Sequence, residues 1–297
     1  MIIDGLDQVT QAVLSSMGQI SDARVREILS AFVRHLHAFA REVRLTEQEF
    51  ETAIRYVVAL GQHTTDTHNE AVLMSGSLGF STLICLLNNG NRGQTETAAN
   101  LLGPFWRLNS PATKNGDSIV RSRTPGPALF VDAKVLDAAR RPIVGAEVDV
   151  WHSSPVGLYE NQDAEQADMN LRGKFHTDAA GAFGFRSVKP AGYPIPTDGP
   201  VGALLKVQQR HCYRPAHLHF LIYKPGFKTL ISQVYVNDDP YLDSDVQYGV
   251  TRTLVGDYRR HESDRAPAED VEGPWYSLDY TFIMEPGEAR LPRPPIK

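Results

Sequence analysis

Hydrophobic and polar positions alternate with two different periods along the chain, and the change between them divides it. After Ser21, a candidate N-cap, Val25, Ile28, Leu29, Phe32, Leu36 and Phe39 recur at the three-and-four spacing of a helix with one apolar stripe. Thr46-Glu47-Gln48-Glu49 reads as a capping box, in which residues 46 and 49 satisfy each other's backbone amides, and predicts a second helix to about Leu60. A third is expected from about Glu70 to Leu87. Val72, Leu73, Leu78, Phe80, Leu83, Ile84 and Leu86 make it apolar on most faces, so it must be buried in this chain or against another copy. From Ala128 the period shortens to two. Phe130 to Val135 and Ala146 to Trp151 read as strands around the turn-rich Asp137 to Arg141. Further strands are expected at Gly184–Val188, Ala203–Val207, His217–Tyr223 and Ser232–Val236, with Gly or Pro between them, and Leu291 to Pro295 reads as an extended tail.

Proline sharpens the division, because all 19 prolines lie from Pro104 onward and none in the first 100 residues. Proline breaks helix interiors and marks turns and strand edges, so residues 1–100 are expected to be a helical domain and 101–297 a strand-and-turn domain. Short strands without alternating helices indicate an antiparallel β-sandwich, which gives an α+β chain.

Composition then excludes whole classes. Thirty Lys and Arg against 35 Asp and Glu leave a net charge of -5, the opposite of a nucleic-acid-binding surface. Two cysteines, Cys85 and Cys212, supply neither a disulfide framework nor a four-cysteine zinc site. Met1-Ile2-Ile3-Asp4 does not open a basic-then-apolar leader and no apolar run nears ~20 residues, so the expectation is a soluble cytoplasmic protein without membrane contact.

Of ten histidines, only His217 and His219 form a motif, in Arg214-Pro215-Ala216-His217-Leu218-His219-Phe220. Two apart on a strand, both imidazoles point to the same face, as a shared metal requires and as a polar pocket lining also produces. The glutamate of a cupin-like site and the acidic partner of a His-x-His hydrolase are both missing, since Phe220 to Ile222 are apolar and Tyr223-Lys224 follow. Two tyrosines stand out in turn-rich loops, in Gly157-Leu158-Tyr159-Glu160 and Gly192-Tyr193-Pro194-Ile195-Pro196.

Together with Gly103-Pro104-Phe105 and Asp239-Pro240-Tyr241-Leu242-Asp243-Ser244-Asp245, these segments resemble the intradiol ring-cleaving dioxygenases, over residues 100 to 258 and in order. The helical first part is similar to the N-terminal domain of the catechol and hydroxyquinol branch. The resemblance implies one Fe(III) per chain held by Tyr159, Tyr193, His217 and His219, with a small aromatic diol or triol and O2 as reactants. A phenol with pKa ~10 binds as phenolate only where a strong Lewis acid displaces its proton, which suits ferric iron. By the same resemblance Tyr193 leaves the metal and takes a substrate proton, Arg214 stabilises developing negative charge, and Gln233 orients the site.

The segments Gly202–Leu205, His211–Phe220 and Asp239–Asp245 look closer to hydroxyquinol 1,2-dioxygenases, which implies cleavage to hydroxymuconate and maleylacetate in aromatic catabolism. A catechol or a substituted or chlorinated catechol, cleaved to a cis,cis-muconate, is the alternative. The implied pocket wall is Leu73, Gly76, Leu102, Gly103, Pro104, Phe105, Ile195, Pro196, Arg214, Val246 and Gln247. Gly76 stands where an acidic residue is expected and Gln247 where a small apolar one is, which predicts a larger pocket. The family pattern further implies a homodimer through the helical domain, in some members with lipid in an apolar tunnel between subunits. A non-catalytic transthyretin-like binding module is the competing reading, and it has no need of four such donors.

Overall fold

The computed structural model describes residues 2–65, 68–89, 96–262 and 265–295. The chain divides into two compact units, residues 1–59 and 60–297.

The first unit holds α1 (Leu6–Ser16), α2 (Ala23–Glu42) and most of α3 (Glu47–Gln62). The N-cap of α2 is Asp22, one residue later than expected, and its carboxylate accepts from the amides of Arg24 (2.8 Å) and Val25 (3.0 Å). The Thr46/Glu49 capping box forms: Thr46 N donates to Glu49 Oε2 at 2.9 Å and Glu49 N to Thr46 Oγ1 at 3.3 Å. The stripe of α2 is exposed along its length, with Phe32 61% and Phe39 52% accessible.

The second unit begins with α4 (Glu70–Ser77) and α5 (Phe80–Asn89), where one helix was expected. They meet at 79° around Gly79, whose φ of +72° takes the left-handed region that ends a helix at low cost to glycine. No single helix among the described residues is long and apolar enough to cross a membrane.

Two sheets follow. The first has the order β10-β11-β1-β4, from β1 (Ala128–Asp137), β4 (Ala182–Val188), β10 (Tyr258–His261) and β11 (Trp275–Met284). The second has the order β3-β2-β7-β8-β9, from β2 (Glu147–His152), β3 (Arg172–His176), β7 (His217–Tyr223), β8 (Leu230–Val236) and β9 (Val255–Gly256). A two-strand ribbon pairs β5 (Tyr193–Pro194) with β6 (Tyr213–Arg214). Most pairs are antiparallel, as expected, but β1–β11 and β8–β9 run parallel.

One core fills the space between the sheets. Val131 and Val135 of β1, Phe183 and Phe185 of β4, and Leu278 and Phe282 of β11 meet Val148 and Val150 of β2, Leu218, Phe220 and Ile222 of β7, and Val234 of β8. Each such side chain taken from water contributes roughly 1.5–3 kcal/mol.

The segment expected as a strand at Ala203–Val207 is instead helix α6 (Pro200–Val207). A short apolar run is ambiguous by period alone, and Pro200 at its first turn decides for helix, because its fixed φ suits that position and its missing N–H is not needed there. The buried Glu70 carboxylate accepts the Val201 amide at 2.8 Å, supplying a cap from a segment far away in sequence.

Candidate metal centre

Strand alternation places the chemistry. Leu218, Phe220 and Ile222 of β7 face the core, so His217, His219 and Leu221 emerge on the opposite face of the five-stranded sheet. Gln233 and Tyr235 of β8 and Trp151 of β2 share that face, with His219 opposite both Gln233 and Trp151, and His217 opposite Tyr235. Tyr159 arrives on the loop after β2, and Tyr193 on the ribbon, directly opposite Arg214. The two tyrosine loops touch at Gly157, where φ is +81° and a Cβ would stand 3.0 Å from the Gly192 carbonyl oxygen and 3.1 Å from Tyr193 Cβ.

Four donor atoms converge. His217 Nε2 lies 3.1 Å from His219 Nε2, His219 Nε2 3.2 Å from the Tyr159 hydroxyl, and that hydroxyl 3.5 Å from the Tyr193 hydroxyl. All four residues are buried. An ion bonded at about 2.0–2.1 Å to tetrahedrally disposed donors holds them roughly 3.3 Å apart, so the set fits one metal. His217 Nδ1 donates to the Pro215 carbonyl at 2.7 Å, which leaves its Nε2 lone pair facing the other donors. The His219 ring is held flat by Trp151, stacked at 4.7 Å and 9°, and by Gly103, where a Cβ would come within 3.1 Å of His219 Cε1. Among the described residues no three His, Cys, Asp or Glu side chains form a metal cluster, so any metal here depends on the phenols.

The electrostatics suit a hard, highly charged ion. Burial and then the Arg214 charge push His217 down to about 3, and burial holds His219 well below the ordinary imidazole range, so both are neutral donors at pH 7. Burial, reinforced by the neighbouring Tyr193, pushes the Tyr159 phenol well above its ordinary value, while the charges of Arg214 and Arg172 pull it down. Only a strong Lewis acid turns such a phenol into a ligand.

Arg214 is 4% exposed, which excludes a surface salt bridge. Its Nε donates to Asp245 Oδ1 (3.2 Å), and its Nη2 to Tyr235 Oη (2.8 Å), Gln233 Oε1 (3.0 Å) and Asp245 Oδ2 (3.2 Å). Its Nη1 stands 3.4 Å from His217 Nε2. Gln233 Nε2 donates to the Leu101 carbonyl at 2.7 Å and the Tyr235 hydroxyl donates to Gln233 Oε1 at 2.6 Å, so the carboxamide cannot turn away from Arg214. Burial alone would raise the Asp245 carboxyl, but the adjacent guanidinium holds it below the usual carboxylate range.

Of the expected pocket wall, Phe105 packs on Tyr159 with ring centroids 4.4 Å apart, and Leu102 joins the same apolar cluster with Trp106, Trp151 and Tyr193. Ile195 and Val246 are buried, and their amides donate to the carbonyls of Cys212 and Tyr213. Pro104 and Pro196 are exposed, and Leu73 is half-buried on α4. The larger pocket expected at Gly76 is corrected: a Cβ there would overlap Gln247 Oε1 and stand 2.7 Å from its Cδ, so the Gln247 side chain fills the space that a side chain at position 76 would take. Gln247 Nε2 donates to Ser77 Oγ at 3.1 Å and fixes the carboxamide there.

The sequence alone assigns no role to Tyr235, Asp245 or Trp151. Tyr235 was within reach, since it stands two residues after Gln233 on an expected strand and so shares its face. Asp245 and Trp151 depend on sheet register and a long loop, for which local spacing carries no signal.

A buried two-histidine, two-tyrosine cluster on one face of a β-sandwich, with a guanidinium against it, is a donor set that fits a hard metal ion. Two family models match: Dioxygenase over residues 101–284 and Catechol dioxygenase N terminus over residues 22–96. The chain belongs to the intradiol ring-cleaving dioxygenases and is a catechol-type Fe(III) dioxygenase of aromatic catabolism. It is similar to the crystal structure of hydroxyquinol 1,2-dioxygenase from Pseudomonas putida, with 38% identity, TM-score 0.86 and coverage of 95% of this chain and 99% of that one. The 6-chlorohydroxyquinol 1,2-dioxygenase of Cupriavidus pinatubonensis is 37% identical over 94% of this chain and 96% of its own. The catechol 1,2-dioxygenase of Candida albicans is 35% identical over 93% and 91%. Membership of this enzyme family sets aside the non-catalytic scaffold.

Proposed function

We propose that this protein cleaves hydroxyquinol between its adjacent hydroxylated carbons, inserting both atoms of O2 to give hydroxymuconate and its tautomer maleylacetate. One ferric ion per chain is held by Tyr159, Tyr193, His217 and His219. The observation that carries the reading is the convergence of those four donors within 3.1–3.5 Å steps beside the buried Arg214. Such an ion would supply Lewis acidity toward the two adjacent substrate oxygens and an acceptor for ring electron density, the chemistry that would make a ring carbon reactive toward O2.

The protein side chains do the rest. Tyr193, on the short ribbon opposite Arg214, would take a substrate proton on its phenol oxygen. Arg214, with no freedom to rotate between Asp245, Gln233 and Tyr235, offsets the negative charge that develops as the ring opens. Phe105, Leu102 and Gly103 wall the site from water.

Gln247 supports a substrate with a third hydroxyl. Its Oε1 accepts no hydrogen bond from the described residues and occupies the space left at Gly76, so it offers a neutral acceptor where a carboxylate is the family expectation. A catechol or chlorinated catechol is the second reading, favoured by the absence of a charge at that point.

Visible absorption of the purified protein, repeated after anaerobic addition of hydroxyquinol and separately catechol, tests both. A broad tyrosinate-to-iron band that shifts more with hydroxyquinol, together with faster turnover, is expected. A stronger catechol response reverses the substrate assignment, and a colourless protein that takes up no iron ends the metal reading. The exposed stripe on α2 supports a homodimer through the helical domain; lipid between apolar faces and a cytoplasmic location rest on the likeness to the family alone. Light scattering with lipid extraction checks the first two.

A further inference from the structure

A row of side chains crosses four strands on the polar face of the five-stranded sheet. Arg172 of β3 stands opposite Trp151 of β2, Trp151 opposite His219 of β7, and His219 opposite Gln233 of β8. Three members of that row already touch the metal donors or Arg214. Arg172, the fourth, is 1% exposed and among the largest fully buried side chains.

A buried guanidinium is costly unless it is paired and its N–H groups are bonded. Arg172 meets half of that condition. Its Nε donates to Glu160 Oε1 at 2.7 Å, while Nη1 and Nη2 have no partner among the described residues. Glu160 is the residue after Tyr159 and opens the 3-10 turn Glu160–Gln162. Its Oε1 also accepts from Arg107 Nη1 at 3.1 Å, and that same Nη1 donates to Asp168 at 2.6 Å. The one carboxylate is thus shared between two arginines, and both terminal nitrogens of Arg172 are left without a hydrogen bond among the described residues. An apolar side chain of similar volume would fill the place more cheaply, so the cation is there for an effect on its surroundings.

We propose that Arg172 is a positioning residue for Tyr159: through its bond to Glu160 it fixes the backbone that aims the phenol. The proposal rests on the reading of Tyr159 as a ligand. Arg172 touches neither substrate nor metal and acts only through Tyr159.

The test compares Arg172→Met, Arg172→Lys and the pair Arg172→Met/Glu160→Gln, reading iron affinity by chelator competition, the position of the visible band, and circular dichroism. Arg172→Met is expected to weaken iron binding by about 10–100-fold, the usual effect of removing a group that supports a ligand. Its band moves, because the phenol is no longer aimed as in the parent. Arg172→Lys, which can still donate to Glu160, keeps most of the affinity and of the band position. The paired variant removes both buried charges, folds like the parent, and retains the weaker affinity and shifted band. Wild-type affinity and band in the paired variant would reduce Arg172 to a structural ion-pair partner and overturn the proposal. Tyr159→Phe separates the two levels: a band and affinity unchanged by that substitution would remove Tyr159 as a ligand, and this proposal with it.

Discussion

The two faces of the five-stranded sheet are both closed to solvent, yet they are built on opposite rules. On the inner face Val148, Val150, Leu218, Phe220 and Val234 meet the other sheet through dispersion and area alone. On the outer face Trp151, His217, His219, Gln233 and Tyr235 alternate with them, and the polar atoms of His217, Gln233 and Tyr235 are tied to named partners while Trp151 Nε1 and His219 Nδ1 have none among the described residues. The inner face depends on volume, so it tolerates exchange among apolar residues of similar size. The outer face depends on atom positions, so a substitution there changes chemistry before it changes stability.

His219→Ala should break the outer face most completely. Iron content is expected to fall to background by metal analysis, and activity with it, while circular dichroism stays that of the parent. Arg214→Gln follows, with kcat down about 10²–10³-fold, as for loss of one positioned charge-stabilising donor; an unchanged kcat with raised KM would make Arg214 a binding group instead. The inner-face counterpart, Phe220→Ala, should cost about 3–5 kcal/mol in denaturant unfolding but leave iron per folded molecule unchanged.

Asp149 gives a pH test on the outer face. Burial raises its carboxyl to about 6, with Trp106 Nε1 donating at 3.1 Å. The folded value lies above the unfolded one, so the folded state holds the proton more tightly. Stability from this group is full below pH ~4 and is lost as pH rises toward 6, by on the order of 2–3 kcal/mol. Asp149→Asn should flatten that part of the stability curve in urea titrations at pH 4 to 7. The smallest effect is expected from Gly76→Ala, which pushes the Gln247 carboxamide aside at about 1–3 kcal/mol; combining it with Gln247→Ala should recover most of the loss.

Much of this contrast can be read from the chain. The alternation in His217–Tyr223 and Ser232–Val236 assigns both faces, and the tyrosine loops are legible through their likeness to a family. What escapes is whatever is set by partners distant in sequence. Ala203–Val207 is a short apolar run that period alone does not assign, and Pro200 and the distant Glu70 carboxylate set it as a helix. Residues 70–87 read as one helix because apolar content does not register the turn at Gly79. The exchange between Gly76 and Gln247 looks like lost volume in one dimension and is filled volume in three.

The parallel pairing of β1 with β11 carries a consequence for biosynthesis. The nine rungs from Leu129↔Tyr276 to Asp137↔Met284 join a strand made early in the second unit to one made last. A ribosome adding about 5–20 residues per second has finished both histidines several seconds before the strand that completes the first sheet emerges. Over that interval the phenols and imidazoles are all present in the nascent chain but lack a completed sandwich behind them. Metal loading therefore waits for that strand, and a chain cut short before Trp275 is expected to carry every proposed ligand and still fail to keep its iron.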